Sequence, residues 1–331
     1  NINLRIYENL NLDSAKSILP NFVKKIYIIA NKYIINEAEL YRLLFIKYNI
    51  QCEIREIYDE PIPSEIINEV SSNNNTILFI IGLLNIKNGF HLQKIQKNVL
   101  IYQVDQQQIL GKENNIKVFE PLNNFDNIIE FSTRNNIIQK KVDYMGPLIN
   151  TNFSNVNKDI DILFFGSRSD RRFKIISYLK NSNKYNIQLA FDVFGEQLKN
   201  LIKRSKIVLN LHFNEKSSLE IFRLNLALSC QSIIISENAT SNQEYYLYNL
   251  YKELVNFVPL LKSIKDYNLL SERIDQLLKN NNNFNYKPKQ LEQINKINKI
   301  NENVLFKNLC KMKIYEKINI LIRNTYRPNY F

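Results

Sequence analysis

The sequence predicts an α/β protein made of two Rossmann-like, doubly wound domains that face each other across a cleft, with a helical C-terminal tail. Two observations carry this prediction. Short β-rich apolar runs alternate with helical patterns in both halves of the chain, and a polar stretch without periodicity, 150–159, separates the halves. Strand–helix alternation requires crossover connections, which give parallel sheets with helices on both faces.

In the first half, the apolar runs predict strands and the segments between them predict helices. The predicted strands are 25–30, 52–58, 76–84 and 99–104, with a short apolar run at 142–146. The predicted helices are 37–48, 64–70 and 90–97. The continuous apolar run at 76–84 is typical of a strand buried on both faces.

The second half repeats the alternation. The predicted strands are 160–165, 187–194, 206–213 and 232–236. The predicted helices are 170–180, 196–205, 218–230, 245–254 and 263–279, and 289–324 reads as one long or two joined helices. In such sheets ligands bind at the carboxyl ends of strands, so the cleft between the domains is the expected site.

Length and composition fit two domains of ordinary size and exclude several classes of protein. The chain has 331 residues, 45% of them hydrophobic, with only 6 Gly and 8 Pro, which excludes collagen-like and Pro-rich proteins. The longest apolar run, 76–84, is about half of a membrane span. Three separated Cys and two His predict neither a disulfide framework nor a zinc cluster. We therefore expect a cytoplasmic protein.

The charge balance favours anionic partners. With 44 Lys+Arg and 32 Asp+Glu, the formal net charge is +12, which suits phosphates, nucleic acid or acidic membranes. The competing interpretation is that Asn, Ile, Lys and Tyr are generally enriched and that much of the Lys lies on solvated faces. No block of five like charges marks a nucleic-acid-binding tail.

Two segments that follow predicted strands could carry chemistry. In 164–172 a strand runs through Gly166 and Ser167 into a helix that carries Arg171. Glycine lets backbone N–H groups approach a phosphate, and a helix N-terminus with arginines favours negative charge. The alternative is an ordinary strand-to-helix turn. By contrast, 159–161, an Asp-Ile-Asp sequence, precedes its strand and is interpreted as structural rather than metal-binding.

The second segment is 209–223, where a strand again ends in a polar loop. Glu220 and Arg223 are three residues apart and share a face of the predicted helix 218–230, which is otherwise nearly apolar. A carboxylate can bind a ribose diol, and an arginine can bind a diphosphate. Ser217 and Ser218 could cap the helix or donate to phosphate. The alternative is an ion pair on the helix surface.

These segments resemble the C-terminal domain of GT-B-fold glycosyltransferases, in particular a bacterial and viral group. The matching motifs lie in order over 160–237. They are Phe-Gly-Ser at 165–167 followed by two arginines, Asn-Leu-His at 210–212, Glu-x-x-Arg at 220–223 and Ser-Glu at 236–237. In the first half, 100–106 resembles that group's Ile-Tyr-Gln-x-Glu-Gln segment, with Asp105 in place of the glutamate.

The resemblance implies transfer of a sugar from a nucleotide-diphosphate sugar to a hydroxyl acceptor, without metal or other cofactor. Glu220 would hold the ribose, and Phe194 and Gly195 would flank the base. The implied diphosphate and donor contacts are Gly166, Ser167, Arg171, His212, Ser217, Ser218 and Arg223. His212 stands eight residues before Glu220, where many retaining members carry a glutamate, so the stereochemistry stays open.

The resemblance also implies that different parts of the chain bind the acceptor and the donor. Residues 1–150 would form the acceptor domain, 151–285 the donor domain, and 286–331 helices that pack back on the acceptor domain. The implied acceptor is a glycan, a lipid-linked molecule or a protein, not a nucleic acid. We expect no transmembrane segment, and peripheral membrane contact is compatible with the charge. Asp105 and His212 are the candidate catalytic residues, with Asp105 as general base. The alternatives are a packing or turn role for Asp105 and a structural role for His212.

Three other functions compete with transfer. A catalytically inactive GT-B-like scaffold would bind donor without turnover. A sugar-nucleotide epimerase on the same fold would convert the donor without an acceptor. A basic nucleic-acid-binding protein would use the net charge, although the basic residues are scattered along the chain.

Overall fold

Two parallel β-sheets form the framework of the molecule. The computed structural model describes residues 12–83, 86–87, 89–104, 120–131, 142–154, 156–239, 241, 244–280 and 285–325. Within these residues one sheet has six strands and the other has five, and the strand pairings are parallel. The predicted class, two Rossmann-like α/β domains with a helical C-terminal segment, is confirmed.

The first sheet has the strand order β2-β1-β3-β4-β5-β6. Its strands are β1 Lys25–Ala30, β2 Gln51–Glu56, β3 Thr76–Ile81, β4 Val99–Gln103, β5 Ile128–Glu130 and β6 Asp143–Tyr144. The α-helices are α1 Leu12–Phe22, α2 Ile35–Lys47 and α3 Ser64–Ser72, and two 3₁₀ segments cover Gly89–Asn98 and Glu120–Asn124. The chain leaves β1 to one side for β2 and returns to the other side for β3.

The second sheet has the order β11-β10-β9-β7-β8. Its strands are β7 Ile160–Phe165, β8 Ile187–Ala190, β9 Ser205–Asn210, β10 Ile233–Glu237 and β11 Val255–Val258. The helices are α4 Asp170–Asn181, α5 Gly195–Lys203, α6 Ile221–Leu228, α7 Tyr245–Tyr251 and α8 Ile264–Asn280, followed by α9 Pro288–Thr325. The order of β8, β7 and β9 puts a topological switch point between β7 and β9.

Several sequence-based boundaries were wrong. The predicted helix 90–97 is a 3₁₀ segment that is kinked at Ile95, and the predicted strand 187–194 ends at Ala190. The predicted helix 218–230 begins at Ile221. Helix α1 and strands β5 and β11 were not predicted, because Pro20 interrupts the helical pattern of α1 and the two strands have only 3 and 4 residues.

One hydrophobic cluster joins the two sheets. It contains core side chains from β1, β3 and β4, from β7 and β9, and from helices α2, α6 and α9. Separate clusters cover the opposite faces of the first and second sheets. In α9, Phe306 packs against Tyr48 and Phe45, with ring centroids 5.0 and 6.3 Å apart. Helix α9 therefore completes the helical layer on one face of the first sheet.

Helix α9 also holds the segment that leads from β6 toward β7. Asn298 accepts from Ile149 N and donates to Ile149 O, each at 2.8 Å. Asn301 accepts from Gly146 N at 2.9 Å and donates to Pro147 O at 3.0 Å. We keep residue 150 as the proposed domain boundary, since β6 ends at Tyr144 and β7 begins at Ile160.

Candidate functional site

The switch point between β7 and β9 holds a compact cluster of charged side chains at the carboxyl edge of the second sheet. Gly166 follows β7 and Asn210 ends β9, so the two residues flank the switch point. Arg223, in the first turn of α6, donates to Asn210 Oδ1 at 3.1 Å. Open parallel sheets bind ligands at this position, between neighbouring strands whose connections leave in opposite directions.

Gly166 allows a guanidinium to lie directly against the backbone. Its φ of +124° is disfavoured for residues with a Cβ, and an added Cβ would lie 2.8 to 3.0 Å from three guanidinium atoms of Arg223. Both facts require glycine here. The next helix, α4, is capped by Ser169, whose hydroxyl accepts from Arg172 N at 3.3 Å.

Arg172 connects the loops that follow β7 and β9. Its side chain is 1% exposed, and it donates to Ser167 O at 2.8 Å, Leu211 O at 2.9 Å and Glu220 Oε1 at 2.7 Å. Burial, and then the charge of Arg223, lower its pKa to about 10, so Arg172 is still protonated at neutral pH. Sequence reasoning had assigned the neighbouring Arg171 to this site.

Arg171 lies in a different ion pair. Its guanidinium donates to both carboxylate oxygens of the fully buried Glu237, and also to His212 O and Leu261 O. Glu237 in turn accepts from His212 N and Leu261 N, each at 2.7 Å. Because these partners belong to the protein, Arg171 connects the loops behind the site, and its predicted contact with the donor stays a prediction.

Glu220 and Arg223, expected to face a ligand separately, contact each other. Glu220 Oε2 accepts from Arg223 Nη1 at 3.0 Å, while Oε1 is bound by Arg172. The reason is burial, since the Glu220 side chain is only 8% exposed and a buried carboxylate requires partners. Two guanidinium groups against one carboxylate leave a single net positive charge, and Arg223 is 18% exposed.

The backbone at Glu220 explains why the charged pair faces the cluster. Ile221 N donates to Leu219 O at 2.9 Å, and Glu220 has φ −84° and ψ 66°, which is an inverse γ-turn. Glu220 thus precedes α6, and no side chain caps the helix. Ser217 and Ser218, expected to cap the helix or to donate to phosphate, are fully buried, and Ser217 Oγ accepts from Asn214 N at 3.1 Å. Their contact with the donor stays a prediction.

His212 is fully buried at the end of β9. Its Nε2 lies 2.8 Å from Asn238 O, so Nε2 carries the proton and donates. Nδ1 then presents a lone pair, which finds no hydrogen-bond partner among the described residues. The structure anchors the ring but does not test its predicted catalytic role.

Phe194 and Gly195 meet the first domain. The Phe194 and Tyr33 rings are edge-to-face with centroids 4.6 Å apart, and Gly195 O accepts from Asn36 Nδ2 at 3.1 Å. Tyr33 and Asn36 follow β1, while Phe194 and Gly195 follow β8, at the start of α5. The carboxyl edges of the two sheets therefore face each other here. The predicted contact with a nucleoside base stays a prediction.

In the first domain, the candidate base Asp105 lies outside the described residues. The same domain contains a second acidic side chain that is buried and that was not predicted from the sequence. Glu37, in the first turn of α2, is 6% exposed, and its Oε2 has no hydrogen-bond partner among the described residues. Burial raises its pKa to about 7. The sequence signal was a glutamate one helical turn before Tyr41, on the stripe that faces the core.

The described residues show neither a metal-binding cluster nor a membrane-spanning helix. No group of three or more His, Cys, Asp or Glu side chains there could hold a metal ion. The Asp-Ile-Asp carboxylates are paired with cations at the amino edge of the sheet, Asp159 with Arg204 and Asp161 with Lys206. None of the described helices combines the length and apolar character required to cross a bilayer.

Comparison with known proteins adds little to this geometry. No family model and no curated protein matches the chain. Anabaena Alr3699/HepE, solved with UDP-glucose, is similar over 91% of this chain and 99% of its own, with 10% identity and a TM-score of 0.45. The spinosyn forosaminyltransferase SpnP matches over 91% and 99%, with 8% identity and a TM-score of 0.40. Because both scores are low, the fold assignment rests on the two sheets.

Proposed function

We propose that the chain is a glycosyltransferase that binds a nucleotide-diphosphate sugar at the carboxyl edge of its second sheet and transfers the sugar to a hydroxyl acceptor on its first domain. One observation carries the proposal: Arg223, held over Gly166 by Glu220 and Asn210, places a positive charge at the switch point between β7 and β9. The motif resemblance over 160–237 points to the same chemistry.

The cluster suits a leaving diphosphate. When the bond from the sugar to the diphosphate breaks, negative charge grows on the phosphate oxygens and must be stabilised by groups already in place. Arg223 supplies that charge, while Arg172 is buried, donates to three protein acceptors and keeps the cluster in position. With this fixed cation, we propose that the reaction does not depend on a metal.

Glu220 has two roles in this proposal. Its carboxylate orients Arg223, and each of its oxygens keeps a lone pair that a ribose hydroxyl could use. We assign the donor to residues 151–285 and the acceptor to 1–150, with 286–331 completing the first domain. A glycan, a lipid-linked molecule or a protein fits equally as the acceptor.

The first test measures donor binding. UDP-, GDP-, TDP- and CMP-sugars are screened for thermal stabilisation, and hits are quantified by calorimetry. We expect Arg223→Ala to weaken binding roughly 10- to 100-fold, because charge-assisted hydrogen bonds are lost.

The matched control is Arg204→Ala, which removes the same charge from an exposed ion pair with Asp159 at the opposite edge of the sheet. Equal affinities in the two variants would contradict the site assignment. Donor binding with no turnover would indicate the inactive scaffold, and conversion of the donor without an acceptor would indicate the epimerase.

A further inference from the structure

The first domain carries a buried carboxyl group that the protein leaves partly unsatisfied. Glu37 Oε2, at the start of α2, has no hydrogen-bond partner among the described residues. Buried polar side chains are nearly always paired, because desolvation without a hydrogen bond is costly. The unpaired carboxylate oxygen of Glu37 therefore indicates a place where a hydroxylated ligand or water completes the hydrogen bonding.

The position of Glu37 relates it to the donor cluster. It follows Asn36, which donates to Gly195 of the second domain. On its other side Tyr102, at the end of β4, lies 5.8 Å ring to ring from Phe222, the residue that precedes Arg223 in α6. The electrostatic influence of Glu37 reaches both Tyr41 and Tyr102. Glu37 thus belongs to the face of the first domain that meets α6.

The surroundings of Glu37 suit a proton acceptor. The titratable groups around it are the phenols Tyr41 on its own helix and Tyr102 on β4, which are neutral at physiological pH. No ion pair with a Lys or Arg of the described residues holds the carboxylate in its charged form. A carboxyl group with a pKa of about 7 is ionised in half of the molecules at neutral pH and can still accept a proton strongly.

We propose that Glu37 is the general base of the transfer reaction, an inference that rests on the proposed function. The acceptor hydroxyl would lose its proton to Glu37 Oε2 as its oxygen forms a bond to the anomeric carbon of the donor sugar. The bond from that carbon to the phosphate oxygen breaks, and the electron pair leaves with the nucleoside diphosphate beside Arg223. Base and leaving group then lie on opposite domains.

The test separates binding from turnover. Each nucleotide sugar of the donor panel is incubated with the full chain, and release of free nucleotide, with water as acceptor, is followed from pH 5 to pH 9. We expect Glu37→Gln to bind donor within about two-fold of the wild type while turnover falls on the order of 10²- to 10⁴-fold. The rise in rate through pH 7, present in the wild type, should disappear.

Two further variants serve as controls for this test. Glu39→Gln, on the same helix but paired with Arg42, should keep both the turnover and the pH profile. Glu37→Asp retains a carboxylate one methylene further back, and should keep the pH dependence at a reduced rate. A purely structural Glu37 would lower the melting temperature without moving the pH profile.

The outcomes distinguish the two proposals. Suppose that the wild type binds donor and releases nucleotide, and that Glu37→Gln has the same rate and pH profile. This result would overturn Glu37 as base but would not affect the proposed function. Wild type that binds no nucleotide sugar, or binds without turnover, would overturn both. Loss of turnover in Glu37→Gln with donor binding retained supports both.

Discussion

At the scale of single residues, the two adjacent arginines 171 and 172 have separate tasks. Arg172 donates to three oxygen atoms at once, which the planar guanidinium group, with its several N–H donors, is suited to do. Arg171, one residue earlier, projects about 100° around the helix and reaches Glu237 instead. Sequence alone identified the pair as important but could not determine which of the two faces the switch point, because that depends on the helix start.

Glu37 gives the first prediction, which concerns stability. Its folded-state pKa of about 7 lies above its ordinary value of 4.5, so the folded protein binds a proton that the unfolded chain has lost. The free energy of unfolding should therefore fall between about pH 4.5 and pH 7 and stay level above, through a contribution of about 3 kcal/mol. Glu37→Gln should remove this loss and be more stable than the wild type at pH 8.

The measurement is urea unfolding at pH 5 and pH 8. Glu39→Gln, which changes an exposed carboxylate on the same helix, should follow the wild type at both values. A Glu37→Gln variant that is no more stable than the wild type at pH 8 would mean that Glu37 finds a cation in solution and is not a neutral, buried acid.

At the scale of elements, the asparagines of α9 act as a backbone partner for the segment after β6. Asn298 forms two hydrogen bonds with Ile149, in the manner of a neighbouring strand. Removing it leaves two partly buried backbone groups unpaired, so Asn298→Ala should lower the free energy of unfolding by about 2 kcal/mol. Asn295→Ala, one turn away on the exposed face, should change it by less than about 0.5 kcal/mol. Equal effects, read from urea midpoints, would contradict the role of Asn298.

The sequence predicted the elements with strong periodicity and missed those defined by tertiary contacts. β1, β3, β7 and β9 are continuous apolar runs, and they were placed within a few residues of their observed bounds. β5 and β11 are too short to show a periodic pattern of apolar residues. They form because each pairs with the edge of a neighbouring strand. Among the residues predicted for the site, Arg223 lies against Gly166 and pairs with Glu220. The sequence could not predict this buried ion pair, because it depends on the turn before α6.

At the scale of the whole molecule, one contact between the two domains lies at the carboxyl edges of their sheets, apart from the hydrophobic cluster that joins them. Tyr33, 48% exposed, lies against Phe194, and Asn36 donates to Gly195. Tyr33→Ala should loosen this contact and broaden the distribution of distances between labels placed at Ser71→Cys in the first domain and Lys184→Cys in the second.

Phe173→Ala is the control, since it removes a similarly exposed ring from the outer side of α4. If Tyr33→Ala left the distance distribution as narrow as that of the control, the tyrosine contact would have no part in holding the domains.

The position of helix α9, late in the sequence, affects how the chain folds while it is being synthesised. Cys310 Sγ donates to Ala15 O across 295 positions of sequence, and Lys16 pairs with Glu302 across 286. While the ribosome is still translating the second sheet, α1 and the adjacent face of the first sheet have no cover. That face stays exposed until α9 has been translated, which lengthens the time during which the nascent chain presents apolar surface to solvent.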